Sequence, residues 1–80
     1  MYGITGIIIT LNEEQNISDC IKNLKQVCNE IIVVDSCSTD HTLTIAGELG
    51  AITVVQPYLG DGIQKNVGIP KAGNDWILSL

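Results

Sequence analysis

The stretch that decides the fold is Glu30-Ile31-Ile32-Val33-Val34-Asp35-Ser36-Cys37-Ser38-Thr39-Asp40. Its four consecutive β-branched residues, 31–34, predict a strand buried on both faces, which is typical of a parallel sheet covered by helices. The run ends abruptly in a cluster of Asp, Ser and Thr. Because ligands of open α/β sheets bind beyond the carboxyl ends of the strands, Asp35 is the first candidate for a functional residue. For residues 38–40 an alternative stays open, in which they turn the chain and cap the next helix.

The composition fits one small globular domain or part of one. The chain has 80 residues, of which 45% are hydrophobic and 16% charged, and its formal net charge is −5. That is too apolar for a disordered chain. A chain of this length buries only about 60 to 65% of its unfolded surface, so we expect marginal stability on its own.

Charge, hydropathy and cysteine content exclude several classes of protein. The only cationic side chains are four lysines, so we expect no nucleic acid partner. No apolar run could span a bilayer, and the first residues lack the basic segment of a secretory signal. Three cysteines without C-x-x-C spacing indicate reduced thiols in a cytoplasmic protein. Cys37 precedes a predicted helix, where a thiolate can be favoured, but we expect it to be a small loop residue without chemical importance.

Strand and helix patterns alternate along the chain. Asn12 and Gln15 have the spacing of a capping box, which predicts a helix beginning near Glu13 with an apolar stripe at Ile17, Cys20, Ile21, Leu24 and Val27.

A second helix, capped by Thr39 or Asp40, is expected to run to about Leu49 and to stop at Gly50. Further strands are predicted over 6–10, 51–56 and 75–80. A turn is predicted over 58–62 and a third helix over 63–69, broken by Pro70.

This alternation predicts an α/β fold of Rossmann-like type, with three layers and a parallel sheet. Short links between the elements require right-handed parallel crossovers. If the fourth strand enters beside the first, the strand order is 3-2-1-4, and the reversal in that order forms a crevice. We expect Thr10 to Glu13 and Asp35 to line this crevice, with Asp61 and Lys65 near its mouth.

Four segments then carry a resemblance to a known family. They are residues 7–14 (Ile-Ile-Ile-Thr-Leu-Asn-Glu-Glu), 32–42 (Ile-Val-Val-Asp-Ser-Cys-Ser-Thr-Asp-His-Thr), 62–66 (Gly-Ile-Gln-Lys-Asn) and 76–80 (Trp-Ile-Leu-Ser-Leu). In order and spacing, over nearly the whole chain, they resemble the amino-terminal half of family 2 glycosyltransferases of the GT-A fold. The variant found here is most similar to bacterial enzymes of lipopolysaccharide core biosynthesis. Two residues depart from the family pattern, since Cys37 stands where glycine is usual and Pro70 interrupts the third helix.

The resemblance implies that a nucleotide-diphosphate sugar lies across the carboxyl ends of the strands. Asp35 would accept a hydrogen bond from a ring N–H of the base, typically uracil, because an ionised carboxylate only accepts. Lys65 would lie near the diphosphate. The residues assigned to nucleotide-sugar binding are Thr10, Leu11, Glu13, Asp35, Asp61 and Lys65.

The resemblance also implies what an active enzyme needs besides these residues. The family's Asp-x-Asp motif, which holds a divalent metal (Mg²⁺ or Mn²⁺), follows the strand that matches residues 76–80, and the catalytic base and acceptor domain come later. We therefore expect an inverting glycosyltransferase acting on a glycan or lipid-linked acceptor, in the cytoplasm or at the inner face of the membrane. The 80 residues would be its partial nucleotide-sugar-binding subdomain, inactive alone and without catalytic or metal-binding residues.

Other interpretations stay open at this point. One is a stand-alone nucleotide-binding or regulatory module without transferase activity. Another is a dinucleotide-dependent oxidoreductase, which also places an acid after its second strand, but residues 10–14 contain no glycine to admit a pyrophosphate. A third is a structural or interaction role, since the outer strands of a partial sheet favour self-association.

Overall fold

The computed structural model describes residues 3–57 and 76–79. Over these residues the chain forms β1 (Ile4–Thr10), α1 (Ile17–Leu24), β2 (Glu30–Asp35), α2 (Thr42–Glu48), β3 (Ile52–Val55) and β4 (Trp76–Ser79). The turn predicted over 58–62 and the helix predicted over 63–69, with Asp61 and Lys65, lie outside the described residues. Neither described helix is long and apolar enough to cross a membrane.

The strands form one parallel sheet in the order β3-β2-β1-β4, which confirms the predicted fold class and strand order. β1 and β2 are central, and their register pairs Thr10 with Asp35 at the last position of both strands. Asp35 is in turn paired with Val55 at the end of β3. Because the strands are parallel, the loops that follow them leave from one edge of the sheet.

Both faces of the central strands are buried, as their uninterrupted apolar runs predict. On one face Ile8, Ile31 and Val33 pack with the inward residues of the two helices, Ile17, Ile21, Leu24 and Ala46. On the other face Ile7, Ile32 and Val34 are 0% exposed and pack with Val54. Each fully buried Val, Leu or Ile side chain contributes roughly 1.5 to 3 kcal/mol, so the packing on both faces of the central strands is a main source of stability for the described residues.

The end of α1 lies very close to β1 at Gly6. A Cβ atom built on Gly6 would lie 3.2 Å from Cys28 Sγ and 3.4 Å from Leu24 Cδ1. A larger residue would push these groups away from the strand. Glycine at this position therefore permits the turn after α1 to pack directly on the sheet.

The first helix begins at Ile17 and not near Glu13, so the prediction of a capping box at Asn12 was wrong. Asn12 has a φ of 52° and its side chain binds another loop instead of its own helix. Residues 13–17 form a single turn, in which the backbone N–H of Ile17 donates to Glu13 O at 2.8 Å. Because α1 ends at Leu24, the apolar stripe does not continue to Val27, which is 59% exposed.

The second helix begins at Thr42, and His41 occupies its N-cap position without a side-chain capping bond. The capping predicted for Asp40 is nevertheless present one residue earlier, since Asp40 Oδ1 accepts the backbone N–H of Thr42 at 2.9 Å. Gly50 has a φ of 88°, a left-handed conformation that suits glycine and ends the helix as predicted. Lys25 Nζ donates to Leu49 O, which joins the end of α2 to the turn after α1.

Candidate functional site

The candidate site is centred on Asp35, at the carboxyl end of β2. The residue is 0% exposed, and Thr10 beside it on β1 is 2% exposed. Thr10 Oγ1 donates to Asp35 Oδ1 at 2.6 Å. The two side chains predicted to face each other across neighbouring strands are therefore in direct contact.

Ser38 supplies the other two hydrogen bonds to this carboxylate. Its hydroxyl donates to Asp35 Oδ1 at 2.6 Å, and its backbone N–H donates to Asp35 Oδ2 at 2.7 Å. A carboxylate has about four acceptor positions, so among the described residues these bonds and the one from Thr10 leave one position, on Oδ2. Burying a carboxylate is costly unless it is hydrogen-bonded, and these three donors compensate for that cost.

The loops that follow β1 and β2 are bonded to each other. We call residues 11–16 the first loop and residues 36–41 the second loop. The backbone N–H of Asn12 donates to Ser38 Oγ at 2.8 Å, and Asn12 Oδ1 accepts the backbone N–H of Thr39 at 2.9 Å. The left-handed backbone of Asn12, which Asn tolerates better than most residues, directs both groups to the second loop. Ser38 thus contacts Asp35 and the first loop through one hydroxyl.

A second set of bonds joins the first loop to the start of α2. Thr42 is 0% exposed. Its Oγ1 atom accepts a hydrogen bond from the backbone N–H of Glu13 at 2.9 Å, and the same hydroxyl group donates a hydrogen bond to Asp40 Oδ1. Asp40 Oδ2 also accepts the backbone N–H of Glu14 at 3.2 Å. Burial on its own raises the pKa of Asp40, but the hydrogen bonds from the side chain and backbone of Thr42 and from the backbone of Glu14 outweigh it. The pKa of Asp40 therefore lies below its ordinary value.

The structure brings four of the predicted site residues to one edge of the sheet. Thr10 and Asp35 are buried there, whereas Leu11 and Glu13 are exposed on the first loop, Leu11 by 54%. Sequence reasoning considered residues 38–40 without recognising that Ser38 binds Asp35. It also did not identify Asn12 and Thr42 as the residues that connect the loops. The only signal for Asn12 was the tolerance of Asn for a positive φ.

The described residues contain a small cavity beside this edge. It has a volume of about 140 Å³ and is lined by Ile8, Ile9, Thr10, Glu13, Asn16, Ile17 and Cys20. Pockets for small ligands are usually larger, roughly 300 to 1,000 Å³. The bonded loops, and not this cavity, are therefore the feature to compare with known sites.

The three cysteines are free thiols. Cys28 is buried, and burial raises its pKa; the pKa of Cys20 is raised by burial and then by the negative charge of Glu13. Cys37 is exposed on the second loop and has a φ of 65°. A left-handed backbone explains in physical terms why glycine suits this position.

Within residues 3–57 and 76–79, no group of three or more His, Cys, Asp or Glu side chains could hold a metal ion.

A parallel sheet with polar, mutually bonded loops beyond its carboxyl edge is an architecture typical of nucleotide-binding α/β domains. A sequence model for glycosyl transferase family 2 matches residues 5–80. The chain belongs to this family, which confirms the resemblance carried by the four segments.

Individual relatives agree with this assignment. An uncharacterized glycosyltransferase of Rickettsia felis is 45% identical over 80 residues, which are all of this chain and 28% of that protein. The lipopolysaccharide core biosynthesis glycosyltransferase LpsC of Rhizobium meliloti is 29% identical over 82 residues, covering 96% of this chain and 30% of that protein. The chain thus spans less than a third of the length of either relative.

A solved structure extends the similarity to the fold. Glucosyl-3-phosphoglycerate synthase from Mycobacterium tuberculosis, in complex with Mn²⁺, uridine-diphosphate and glucosyl-3-phosphoglycerate, matches with a TM-score of 0.81 and 26% identity. The match covers 99% of this chain and 33% of that protein. The Rossmann-like arrangement of GT-A glycosyltransferases is therefore the fold of this chain.

Proposed function

We propose that this chain is the nucleotide-sugar-binding part of an inverting glycosyltransferase that transfers a sugar from a UDP-linked donor. The observation that carries the proposal is the contact between Thr10 and Asp35 at the carboxyl edge of the sheet, between two loops that are bonded to each other. Membership of glycosyl transferase family 2 and the uridine-diphosphate in the mycobacterial complex support it.

In this proposal Asp35 recognises the base. An ionised carboxylate accepts hydrogen bonds only, so it suits the single ring N–H of uracil and not the unprotonated ring nitrogen of cytosine. The free acceptor position on Asp35 Oδ2 is the one that would bind this N–H. Because Asp35 is 0% exposed without a ligand, base binding has to displace the atoms that cover it. Leu11 and Glu13, which are exposed on the first loop, would border the rest of the nucleotide.

The proposals for the metal and the acceptor rest on the similar proteins. The mycobacterial complex contains Mn²⁺, which supports a divalent cation for the full-length protein. Within the part of the chain that the structure describes, no group of three or more His, Cys, Asp or Glu side chains could hold such an ion, so we propose that its ligands lie elsewhere in the protein. We propose the same for the catalytic base. LpsC is a lipopolysaccharide core biosynthesis glycosyltransferase, and the similarity to it supports a glycan or lipid-linked acceptor. Asp61 and Lys65 are proposed to lie near the diphosphate, and the isolated 80-residue chain is proposed to be inactive.

The test uses the full-length protein. Isothermal titration calorimetry should detect UDP binding, and Asp35→Asn should weaken it at least about tenfold because the acceptor-only carboxylate is lost. Asp19→Asn is a matched control, since Asp19 is exposed on α1 and is not one of the residues that bind Asp35 or join the two loops. Release of UDP from a UDP-sugar should require an added divalent cation. UDP binding without any sugar release, with or without metal, would instead favour a nucleotide-binding module.

A further inference from the structure

Two consecutive backbone N–H groups of the first loop donate to side chains where the second loop meets α2. The N–H of Glu13 donates to Thr42 Oγ1 at 2.9 Å, and the N–H of Glu14 donates to Asp40 Oδ2 at 3.2 Å. Both bonds fix the backbone of the first loop just after Leu11. They therefore also fix where the exposed side chains of Leu11 and Glu13 lie.

The direction of the hydrogen bonds at Thr42 depends on Asp40. A hydroxyl group has one proton, and Thr42 donates it to Asp40 Oδ1, so the hydroxyl oxygen is left to accept the N–H of Glu13. Because an ionised carboxylate accepts only, this direction cannot be reversed. Asp40 Oδ1 also accepts the backbone N–H of Thr42 at 2.9 Å, which keeps the two residues together.

Both oxygens of Asp40 are needed as acceptors, Oδ1 for Thr42 and Oδ2 for Glu14. An asparagine at this position would have the same size but only one acceptor oxygen. If that oxygen accepted from Thr42, the amino group would face the N–H of Glu14, donor against donor. Asparagine therefore cannot hold both residues, and the carboxylate is specifically required.

We propose that Thr42 and Asp40 are positioning residues for nucleotide-sugar binding, which hold the backbone of the first loop in the conformation in which Leu11 and Glu13 border the nucleotide. The inference rests on the proposed function, because it requires that the first loop meets the nucleotide. Thr42 is 0% exposed, so it acts through the loop and not by touching the ligand. A loop that is held before the ligand arrives does not have to be ordered on binding, and the affinity is higher for that reason.

Calorimetry of UDP with the full-length protein tests the inference, because it reports the Kd and the binding stoichiometry separately. Thr42→Val keeps the shape of the side chain but removes the acceptor for the N–H of Glu13. It should raise the Kd of UDP by at least about fivefold and leave the stoichiometry unchanged. Thr42→Ser keeps the hydroxyl group and should stay within about twofold of the original Kd. Thr44→Val, the same substitution at an exposed position of α2, is the matched control and should not change the Kd.

Asp40→Asn is the second variant and tests the same inference if Thr42→Val does not fold. It keeps the hydroxyl group of Thr42 but lacks the second acceptor oxygen, so it should also raise the Kd of UDP by at least about fivefold. A Kd that both Thr42→Val and Asp40→Asn leave unchanged would overturn the inference. An equal increase in Thr42→Ser and Thr42→Val would overturn it as well, because the hydroxyl group would then not be the cause.

The stoichiometry separates positioning from a purely structural role. If Thr42 only stabilised the fold, Thr42→Val would lower the fraction of folded protein. The stoichiometry would then fall while the Kd of the remaining folded molecules stayed the same, and this result would overturn the inference. Failure of the original protein to bind UDP, or UDP binding that Asp35→Asn leaves intact, would instead overturn the proposed function, and the inference with it.

Discussion

Thr10 and Asp35 occupy the last paired positions of β1 and β2, and the Thr10 hydroxyl donates to the Asp35 carboxylate at 2.6 Å. Both side chains are almost fully buried. The bond therefore joins the two central strands through side chains just where their backbone pairing stops. It also holds a carboxylate in a place where water does not compete for it.

Replacement of Thr10 by valine tests the energetic role of this bond. The change keeps the shape of the side chain but removes one of three donors to a buried carboxylate. We expect the free energy of unfolding to fall by about 1 to 3 kcal/mol, measured by urea denaturation. Thr53→Val, at an exposed position on β3, is the matched control and should change it by no more than about 0.5 kcal/mol. Equal effects at the two positions would contradict the role given to the bond.

Cys37 should be replaceable by glycine with a gain in stability. Its φ of 65° is unfavourable for a residue with a Cβ atom, by roughly 1 to 2 kcal/mol. Glycine removes this cost, but about half of the gain is lost because glycine has more conformational freedom in the unfolded chain. We therefore expect a net increase of roughly 0.5 to 1 kcal/mol in the free energy of unfolding. Cys37→Ala keeps the Cβ atom and should give no comparable increase. Identical stabilities of the alanine and glycine variants would show that the backbone at residue 37 is not strained.

Two glycines should respond to alanine in opposite directions. At Gly6 the new methyl group meets Cys28 Sγ at 3.2 Å, so we expect a loss of about 1 kcal/mol from overpacking. At Gly47, on α2, it meets nothing within 4 Å, and we expect a gain of about 0.5 to 1 kcal/mol. Adding Cys28→Ala to Gly6→Ala removes the sulfur atom and should reduce the penalty. A double variant whose losses merely add would exclude the clash as the cause.

Acid should weaken the connection between the first loop and α2. Because the pKa of Asp40 is lower in the folded chain than its ordinary value of 3.8, the unfolded chain takes up the proton first as the pH falls. The stability contributed by the ionised group is complete well above pH 3.8 and is lost as the pH falls through the lower, folded pKa. Asp40→Asn should therefore be less stable than the original at pH 7, and the difference should narrow below pH 3.8. Urea denaturation at a series of pH values measures this difference in the free energy of unfolding. A difference that does not depend on pH would refute the role given to the ionised Asp40 carboxylate.

Thiol reactivity should follow exposure. Cys37 is exposed, whereas burial raises the pKa of Cys28 and lowers its fraction of thiolate, the reactive form. In the folded protein, iodoacetamide should modify Cys37 first, Cys20 more slowly and Cys28 last, as read from peptide mass spectra over time. In urea the three rates should converge. Rapid modification of Cys28 under native conditions would mean that the turn after α1 does not stay packed on β1.

The sequence predicts the sheet better than the loops, and the reason lies in the range of the interactions. The apolar run 31–34 and the alternation of elements suffice to place β1 beside β2, and hence Thr10 beside Asp35. The capping box failed because its spacing rule considers only neighbours, whereas the partner of Asn12 is 27 residues away. Val27 was assigned to the core on helical periodicity, but the helix ends at Leu24 and the next inward residue is Cys28.

In the candidate site, too, the sequence predicts the contact between the strands but not the bonds between the loops. Thr10 and Asp35 were placed together from strand topology alone, and the structure shows them in contact. The bonds of Ser38 to both Asp35 and Asn12 depend on how two loops meet, which local sequence patterns do not encode. Asp61 and Lys65, outside the described residues, stay predictions.

The hydrogen bonds that join the first loop to the second loop and to the start of α2 connect residues 26 to 29 positions apart in the chain. A peptide that contained either loop alone would lack every one of these partners. These bonds can therefore form only once β1 and β2 are paired, when the entropic cost of closing the intervening chain has been met. The nucleotide binding proposed above would therefore report on completed folding, because a collapsed intermediate with formed helices but unpaired strands would not bring the two loops together.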